Sequence, residues 1–326
     1  MYTKDNFEAF ILTYNNKDML KDSIISLLNQ SIGEIDITVI DNGSSDGTNE
    51  VVNEMMKNHA NLHYVRQPEN ISHIEIFKKA VEFAKRDYVI LFPDDDILHP
   101  DYLKYAIGAV NKFPNTAIIS SHYQEWSNPT NENWAKASQR FDYCKDKKMF
   151  VNYLYRMQRF GYSNAIYKTE NLKKHIFDME YYSQFGKMYD KPLVANTMMD
   201  NDGAVIFRSK KLLRYRVYAT KNTYSSGPCY DEIIAYNKYC KQYMQDCWYS
   251  KLMYNLINYK QLMRAYEWGR DYTLSLNEFI SKAIDEGAGC KWTELCILPI
   301  VGKIFVELAH IARKFLKTTY KRVFYT

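Results

Sequence analysis

The chain has 326 residues, a formal net charge of +5, 46% hydrophobic and 25% charged residues. That length allows one large domain with a substantial core plus a smaller appendage. The modest charge needs no nucleic acid to explain it and no nucleic-acid motif is present, so nucleic acid is excluded as a partner.

Ala9-Phe10-Ile11-Leu12 reads as a strand, followed by the polar loop Thr13-Tyr14-Asn15-Asn16. Leu20, Ile24, Leu27 and Leu28 then recur at helical spacing, with Asp18 as a start signal. Ile37-Thr38-Val39-Ile40 is a second strand, ending in Asp41-Asn42-Gly43-Ser44-Ser45-Asp46-Gly47-Thr48. A helix over 48–58 and a short strand over 62–66 follow. Ile74, Phe77, Val81 and Ala84 form one more apolar helical face before the strand Tyr88-Val89-Ile90-Leu91-Phe92. Short, nearly all-apolar strands alternating with amphipathic helices predict a mostly parallel sheet covered on both faces. Ligands bind such sheets outside the carboxyl ends of the strands, so these polar loops are expected on one edge.

The last of these strands runs into Pro93-Asp94-Asp95-Asp96-Ile97-Leu98-His99-Pro100. Three adjacent carboxylates beside a buried strand repel one another, and a cation relieves the cost. An all-oxygen site suits a hard divalent ion such as magnesium or manganese with positions left for substrate phosphates. The same residues also suit a solvated acidic turn capping the helix near Pro100.

Taken in order, Thr13-Tyr14-Asn15, Val39-Ile40-Asp41-Asn42-Gly43-Ser44-Ser45-Asp46 and Asp94-Asp95-Asp96 resemble glycosyltransferase family 2. The resemblance is good over roughly the first 125 residues and thinner to about residue 230. It implies a GT-A (Rossmann-like) α/β fold and an inverting, metal-dependent transferase using a nucleotide-sugar donor, commonly a UDP-sugar. It further implies that Thr13, Tyr14 and Asn15 hold the nucleobase and that Asp41 accepts a hydrogen bond from it. Asp95 becomes the main metal ligand, Asp94 lies by the ribose or shares the ion, and Asp96 is a second ligand or orients Asp95. Asn70 faces the donor, and Arg216 holds a phosphate. Asp190, in Gln184-Phe185-Gly186-Lys187-Met188-Tyr189-Asp190-Lys191-Pro192-Leu193, takes the place of the base that deprotonates the acceptor hydroxyl. Asp190 equally suits a cap for the helix after Pro192. Asp200 and Asp202 compete for the catalytic role from a turn.

The chain departs from the family spelling at four places. Asn42 stands where a second Asp is usual, Pro93 where the first acid of the metal motif is usual, and Ile71-Ser72-His73 where a glycine often follows the Asn. Tyr218 stands where a His often reaches the metal or diphosphate. Gly43 permits a tight turn, Asp46 is mainly structural, and Lys78 and Lys79 read as solvated surface. His73, His99 and His122 are ordinary surface or packing residues. A rival reading, a sugar nucleotidyltransferase, needs a Gly-rich phosphate loop after the first strand, and Thr13-Tyr14-Asn15-Asn16-Lys17 has no glycine.

From Asp231 the pattern turns helical, with Ile233, Tyr236, Cys240, Tyr243 and Cys247, then Leu252, Leu256, Tyr259 and Met263. The expected domains are a transferase domain over 1–230 and a helical region over 231–326. In the last helix Ile304, Leu308, Ile311 and Phe315 lie on one face and Lys303, Lys314, Lys317 and Lys321 on another. A basic amphipathic helix suits an anionic membrane surface, as it suits packing on a core with a solvated basic face. Six cysteines show no CxxC pairing or zinc-like His partners, which fits reduced cytoplasmic thiols. The opening Met1-Tyr2-Thr3-Lys4-Asp5 has no secretory pattern. A cytoplasmic enzyme, peripheral on the inner face of the cell membrane, is expected. Its acceptor would be a glycan or lipid-linked glycan in surface polysaccharide assembly, such as capsule or lipopolysaccharide. The alternative is a catalytically weak GT-A scaffold in a membrane-associated assembly complex.

Overall fold

A computed structural model describes residues 1–126, 137–156, 165–176, 178–199, 201–209, 212–217 and 230–244, with single positions and pairs between 254 and 286. The chain forms two compact units, residues 1–182 with 190–221 and residues 183–189 with 222–326.

The first unit opens with β1 (Phe7–Thr13), α1 (Lys17–Leu28), β2 (Asp36–Asp41), α2 (Thr48–Met56), β3 (Leu62–Arg66), α3 (His73–Phe83) and β4 (Tyr88–Pro93). β1, β2, β3 and β4 run parallel, in the spatial order β3-β2-β1-β4. β1 and β4 are buried along almost their whole length, as a sheet covered on both faces requires. On one face Ile11, Val39 and Ile90 join Leu20, Ile24 and Leu27 of α1 in the core. α3 covers the other face with Ile76, Ala80 and Val81. This is a shift from the expected stripe, because Ile74 and Phe77 are only half-buried. The larger apolar side chains flank the contact line, and small Ala80 lets the helix lie close to the strands.

Beyond β4 come β5 (Ile97–Leu98), α4 (Tyr102–Lys112), β6 (Thr116–Ser121), β7 (Gln124–Trp126), β8 (Phe141–Cys144), α5 (Lys147–Arg156), β9 (Ile166–Lys168), α6 (Thr169–Ile176), α7 (Met179–Ser183), α8 (Asp190–Asn196), β10 (Gly203–Phe207) and β11 (Leu213–Arg216). The large sheet is completed in the order β4-β9-β6-β10-β8. β9 is antiparallel to both β4 and β6, so β6 regains the direction of β4 and ends on the same edge. A second sheet, β5-β11-β7, grips the chain just after the acidic turn. Its strands are two to four residues long, too short for a period-2 pattern to be read.

In the second unit, α9 (Tyr230–Lys241) buries Ile233, Ile234, Tyr236, Tyr239 and Cys240. The expected spacing of Ile233, Tyr236 and Cys240 is the buried face. Asn237 donates to Asn258, and its carbonyl accepts from the Tyr254 hydroxyl at 2.9 Å. The basic helix expected around Lys303–Lys321 lies outside the described residues, as does Tyr218. Among the described residues no helix is long and apolar enough to cross a membrane.

Ile11 is fully buried in the central strand of the parallel half. Ile11→Ala should lower unfolding stability by about 2–5 kcal/mol and Ile11→Val by roughly 0.5–1.5 kcal/mol, read from chemical denaturation of both variants.

Candidate active site

The register of the parallel strands sets the site. Thr13 pairs with Asp41, Asp41 with Arg66, and Leu12 with Pro93, so Asp94 leaves its strand at the level of Thr13. Three loops distant in sequence meet at this edge.

They are laced together by side chains whose main work is on backbone. The Asn15 N–H donates to Ser44 Oγ at 2.8 Å, and Asn15 Oδ1 accepts from the Ser45 N–H at 2.8 Å. Asp46 accepts from the Lys17 N–H at 3.0 Å and the Thr48 N–H at 3.1 Å, the structural role expected of it. Asn15 adopts φ of 49°, a left-handed conformation that Asn tolerates. Asn42, which sequence reasoning noted only as a departure, joins the second loop to the third. Its Nδ2 donates to Asn70 Oδ1 at 2.7 Å and to the Ile71 carbonyl at 2.8 Å, and its Oδ1 accepts from the Ile71 N–H at 2.9 Å. Gly43 sits under that junction with φ of +81°, and a Cβ there would come within 2.8 Å of the Glu69 carbonyl carbon.

Asp41 is fully buried. Its Oδ1 accepts from the Ser44 N–H at 2.9 Å, while its Oδ2 accepts from the Tyr64 hydroxyl and lies 3.6 Å from Arg66 Nε. In this arrangement the carboxylate has no face open to a ligand and holds the second loop down. Tyr64 and Arg66, two residues apart on β3, point to the same side. That period-2 relation was available from sequence, whereas their pairing with Asp41 depends on register. Tyr14 is 46% exposed, the one large ring presented to solvent in these loops. Asn70 is exposed beside its bond to Asn42.

The three acidic residues part company. Asp96 is fully buried, and its Oδ1 accepts from the Arg216 N–H at 3.1 Å. Asp95 is 6% exposed. Asp94 is half-buried against the first loop. Burial pushes its carboxyl up to about 6, the Asp95 charge adds to the rise, and the Thr13 and Asn16 side chains and the Tyr14 N–H pull the other way. The buried Thr13 hydroxyl faces the same carboxyl. Arg216 is 8% exposed, and its guanidinium is bonded within the protein rather than presented at the edge.

Among the described residues no three His, Cys, Asp or Glu side chains converge as a metal-binding cluster. The donors nevertheless fit a hard divalent ion. Such an ion binds through one or two carboxylates and fills its remaining positions with water and substrate phosphates. A desolvated carboxyl beside a second buried one, with the Thr13 hydroxyl facing it, is a donor set that a cation would relieve.

Asp190 is the first residue of α8, half-buried, with its carboxyl held above the usual range by burial against the opposing effect of Lys191. No hydrogen bond or ion pair links its side chain to the acidic turn. Asp202 accepts from Asn171 Nδ2 at 2.6 Å and the Met199 N–H at 3.0 Å, which makes it a turn-forming residue. Asp200 lies outside the described residues. His99 is buried and accepts the Asp101 N–H at 3.0 Å through Nδ1, as a packing histidine does.

Loops gathered at the carboxyl ends of parallel strands, around an acidic strand-end turn, define an α/β domain with its candidate site at that edge. The model of the family Glycosyl transferase family 2 matches residues 9–176, more than half of the chain, and the chain belongs to that family. Over 110 residues it is 29% identical to the chondroitin synthase of Pasteurella multocida, a match covering 34% of this chain and 11% of that protein. Glycosyltransferase GlyG of Streptococcus pneumoniae is 21% identical over 207 residues, covering 62% of this chain and 68% of that protein. A poly-β-1,6-N-acetyl-D-glucosamine synthase of Staphylococcus epidermidis is 27% identical over 115 residues, 35% of this chain and 28% of that protein. The chain thus spans less than a third of the length of the two synthases. The fold is that of GT-A glycosyltransferases. A crystal structure of residues 1–349 of TarS from S. aureus, in complex with UDP-GlcNAc, superposes with a TM-score of 0.62 at 13% identity, over 97% of this chain and 91% of that one.

Gly43→Ala should cost roughly 1–3 kcal/mol of stability, because it adds left-handed strain and a backbone clash at the loop junction. Thermal or denaturant unfolding reads this, with Ser45→Ala, at an exposed neighbour, as the control.

Proposed function

We propose that this chain transfers a sugar from a nucleoside-diphosphate donor, most simply a UDP-sugar, to a glycan or lipid-linked glycan in polysaccharide assembly. One observation carries the reading: a desolvated acidic pair, Asp94 and Asp95, leaves the sheet edge among loops laced into a rigid cradle. The glycan-synthase names of the relatives and the UDP-GlcNAc in the TarS complex support the donor class.

In this reading Tyr14 stacks against the base, and the Thr13–Asn15 backbone and Asn70 flank it. Asp41 acts from beneath by fixing the loop, and Asp94 takes the ribose or a share of the ion. Asp94 and Asp95 would hold a magnesium or manganese ion, which supplies neutralisation of the charge appearing on the departing diphosphate. Asp96 aims Asp95 from behind. Asp190 accepts the proton of the acceptor hydroxyl as that oxygen attacks the anomeric carbon. A base with a raised pKa sits closer to the operating pH and takes the proton with more driving force. Residues 1–230 form the transferase domain. The basic pattern of residues 303–322 suits peripheral attachment on the cytoplasmic face of a membrane. The scaffold alternative draws on Pro93 in the metal motif and on the internal engagement of Asp41.

A thermal-shift screen of UDP, GDP, dTDP and CMP, each with manganese or with EDTA, tests the reading, since a ligand bound only by the native state raises Tm. One nucleotide should stabilise the wild type in manganese alone, and Asp95→Ala should abolish that shift. A folded wild type that responds to none of them turns the assignment to the scaffold.

Asp190 yields a sign-specific prediction. Its folded pKa is raised, so the protonated form favours folding, and that contribution is lost as pH rises through the folded value. Asp190→Asn should therefore keep or raise Tm at pH 7 while lowering kcat/KM by about 10²–10⁴. In the wild type kcat/KM should fall on acidification through a pKa above the ordinary carboxylate value. Retained activity in Asp190→Asn transfers the base role to another residue.

A further inference from the structure

The acidic turn is gripped from two sides, by α1 residues that the family motifs do not use and by Arg216, whose guanidinium is bonded within the protein. From α1, Ser23 Oγ donates to the Asp96 carbonyl at 2.8 Å. From β11, the Arg216 N–H takes the Asp96 carboxylate at 3.1 Å and Arg216 Nε donates to the Asp95 carbonyl at 3.0 Å. The same guanidinium donates through Nη2 to Asp22 Oδ2 at 2.7 Å, and its carbon lies 4.6 Å from the centroid of the Trp126 ring. Arg216 and Trp126 are register partners in the small sheet, so the stacking follows from the pairing of β11 with β7.

An arginine only 8% exposed is a costly way to anchor a strand. Aliphatic packing would serve if cohesion were the only need. What the guanidinium adds is direction. Its fork is planar, so a bond to Asp22 at one nitrogen and a ring beneath fix where Nε points. Nε points at the carbonyl of the residue whose side chain is the leading candidate for donor binding. Asp22 is one residue from Ser23 on the same turn of α1, so a single helix holds two successive peptide units of the turn, one directly and one through Arg216.

We propose that Asp22 and Arg216, with Trp126 as their platform, are positioning residues that set the direction of the Asp95 side chain for binding the donor diphosphate. This rests on the transferase reading above for its ligand, although the geometry of the clamp does not. Asp22 is 40% exposed at its side chain, so Asp22→Asn changes the clamp with little risk to folding. Arg216→Lys keeps the charge over the ring and loses the fork.

Two measurements on the full chain decide the matter. The first is the Kd of UDP in manganese by calorimetry. Asp22→Asn and Arg216→Lys should each weaken binding by about tenfold, the scale of one lost charge-assisted bond, with Asp22→Glu returning part of it. The second needs no nucleotide: amide hydrogen exchange of the segment 90–98 in ligand-free protein, with the segment 36–41 as internal reference. Asp22→Asn should speed exchange in the first segment and leave the second unchanged. Equal acceleration of both segments means a general stability role and overturns the proposal, as does unchanged exchange in 90–98. Wild-type UDP affinity in Asp22→Asn overturns it as well. A wild type that fails to bind UDP, alongside the selective exchange effect, removes the donor reading and leaves the clamp standing.

Discussion

Three consecutive carboxylates at the end of a buried strand cannot share one environment, and the architecture around them follows from that. A carboxylate taken from water without a partner costs several kcal/mol, and like charges a residue apart add to it. The chain separates them by direction. Asp96 turns inward and is met by the backbone of β11. Asp94 turns toward the first loop and stays half-buried, with its carboxyl pushed up to about 6. Asp95 is left between them at the sheet edge. Separation of this kind needs β11 to lie beside the turn, and that need accounts for a second sheet whose strands are too short to stand alone.

The cradle obeys a related constraint. Loops at the carboxyl ends of parallel strands carry backbone groups that the ladder no longer pairs, and buried N–H and C=O groups must find partners. Asn15, Asn42, Ser44 and Asp46 supply them, chiefly by bonding across loops. Short Asn, Ser and Asp side chains are the ones able to reach neighbouring backbone. The result is a floor whose shape is fixed before any ligand arrives, which lowers the ordering cost of binding.

How much of this the sequence discloses depends on range. The first, second and fourth strands were legible as short apolar runs, the third from its place between two helical patterns, and the three polar loops because parallel strands force them to one edge. β9 and the small sheet were not legible, since three residues such as Ile166–Lys168 carry no periodicity and their pairing is entirely long-range. The same division runs through the site. Asp94, Asp95 and Asp96 announced themselves by type and spacing. The engagement of Asp41 by Tyr64 and Arg66 depends on β2–β3 register, and the burial of Arg216 on a strand pair 90 residues apart in sequence. A motif gives the residue's identity, and only register says which way it faces.

Direction also explains why α1 matters beyond covering the sheet. Its inward face, Leu20, Ile24 and Leu27, is ordinary core. Its flank is polar, and Ser23 and Asp22 are spent on the acidic turn, while Gln30, just past the helix end, is bonded to the His99 carbonyl and the Leu103 N–H, each at 3.0 Å. A helix that were only a lid for apolar strands would have no use for these groups. Because the same rigid element packs on the sheet and grips the turn, movement of Asp95 relative to the cradle is coupled to movement of a whole helix. Such movement is opposed by the close packing of the core. The chain therefore ties its crowded carboxylates to a helix anchored in the core of the sheet.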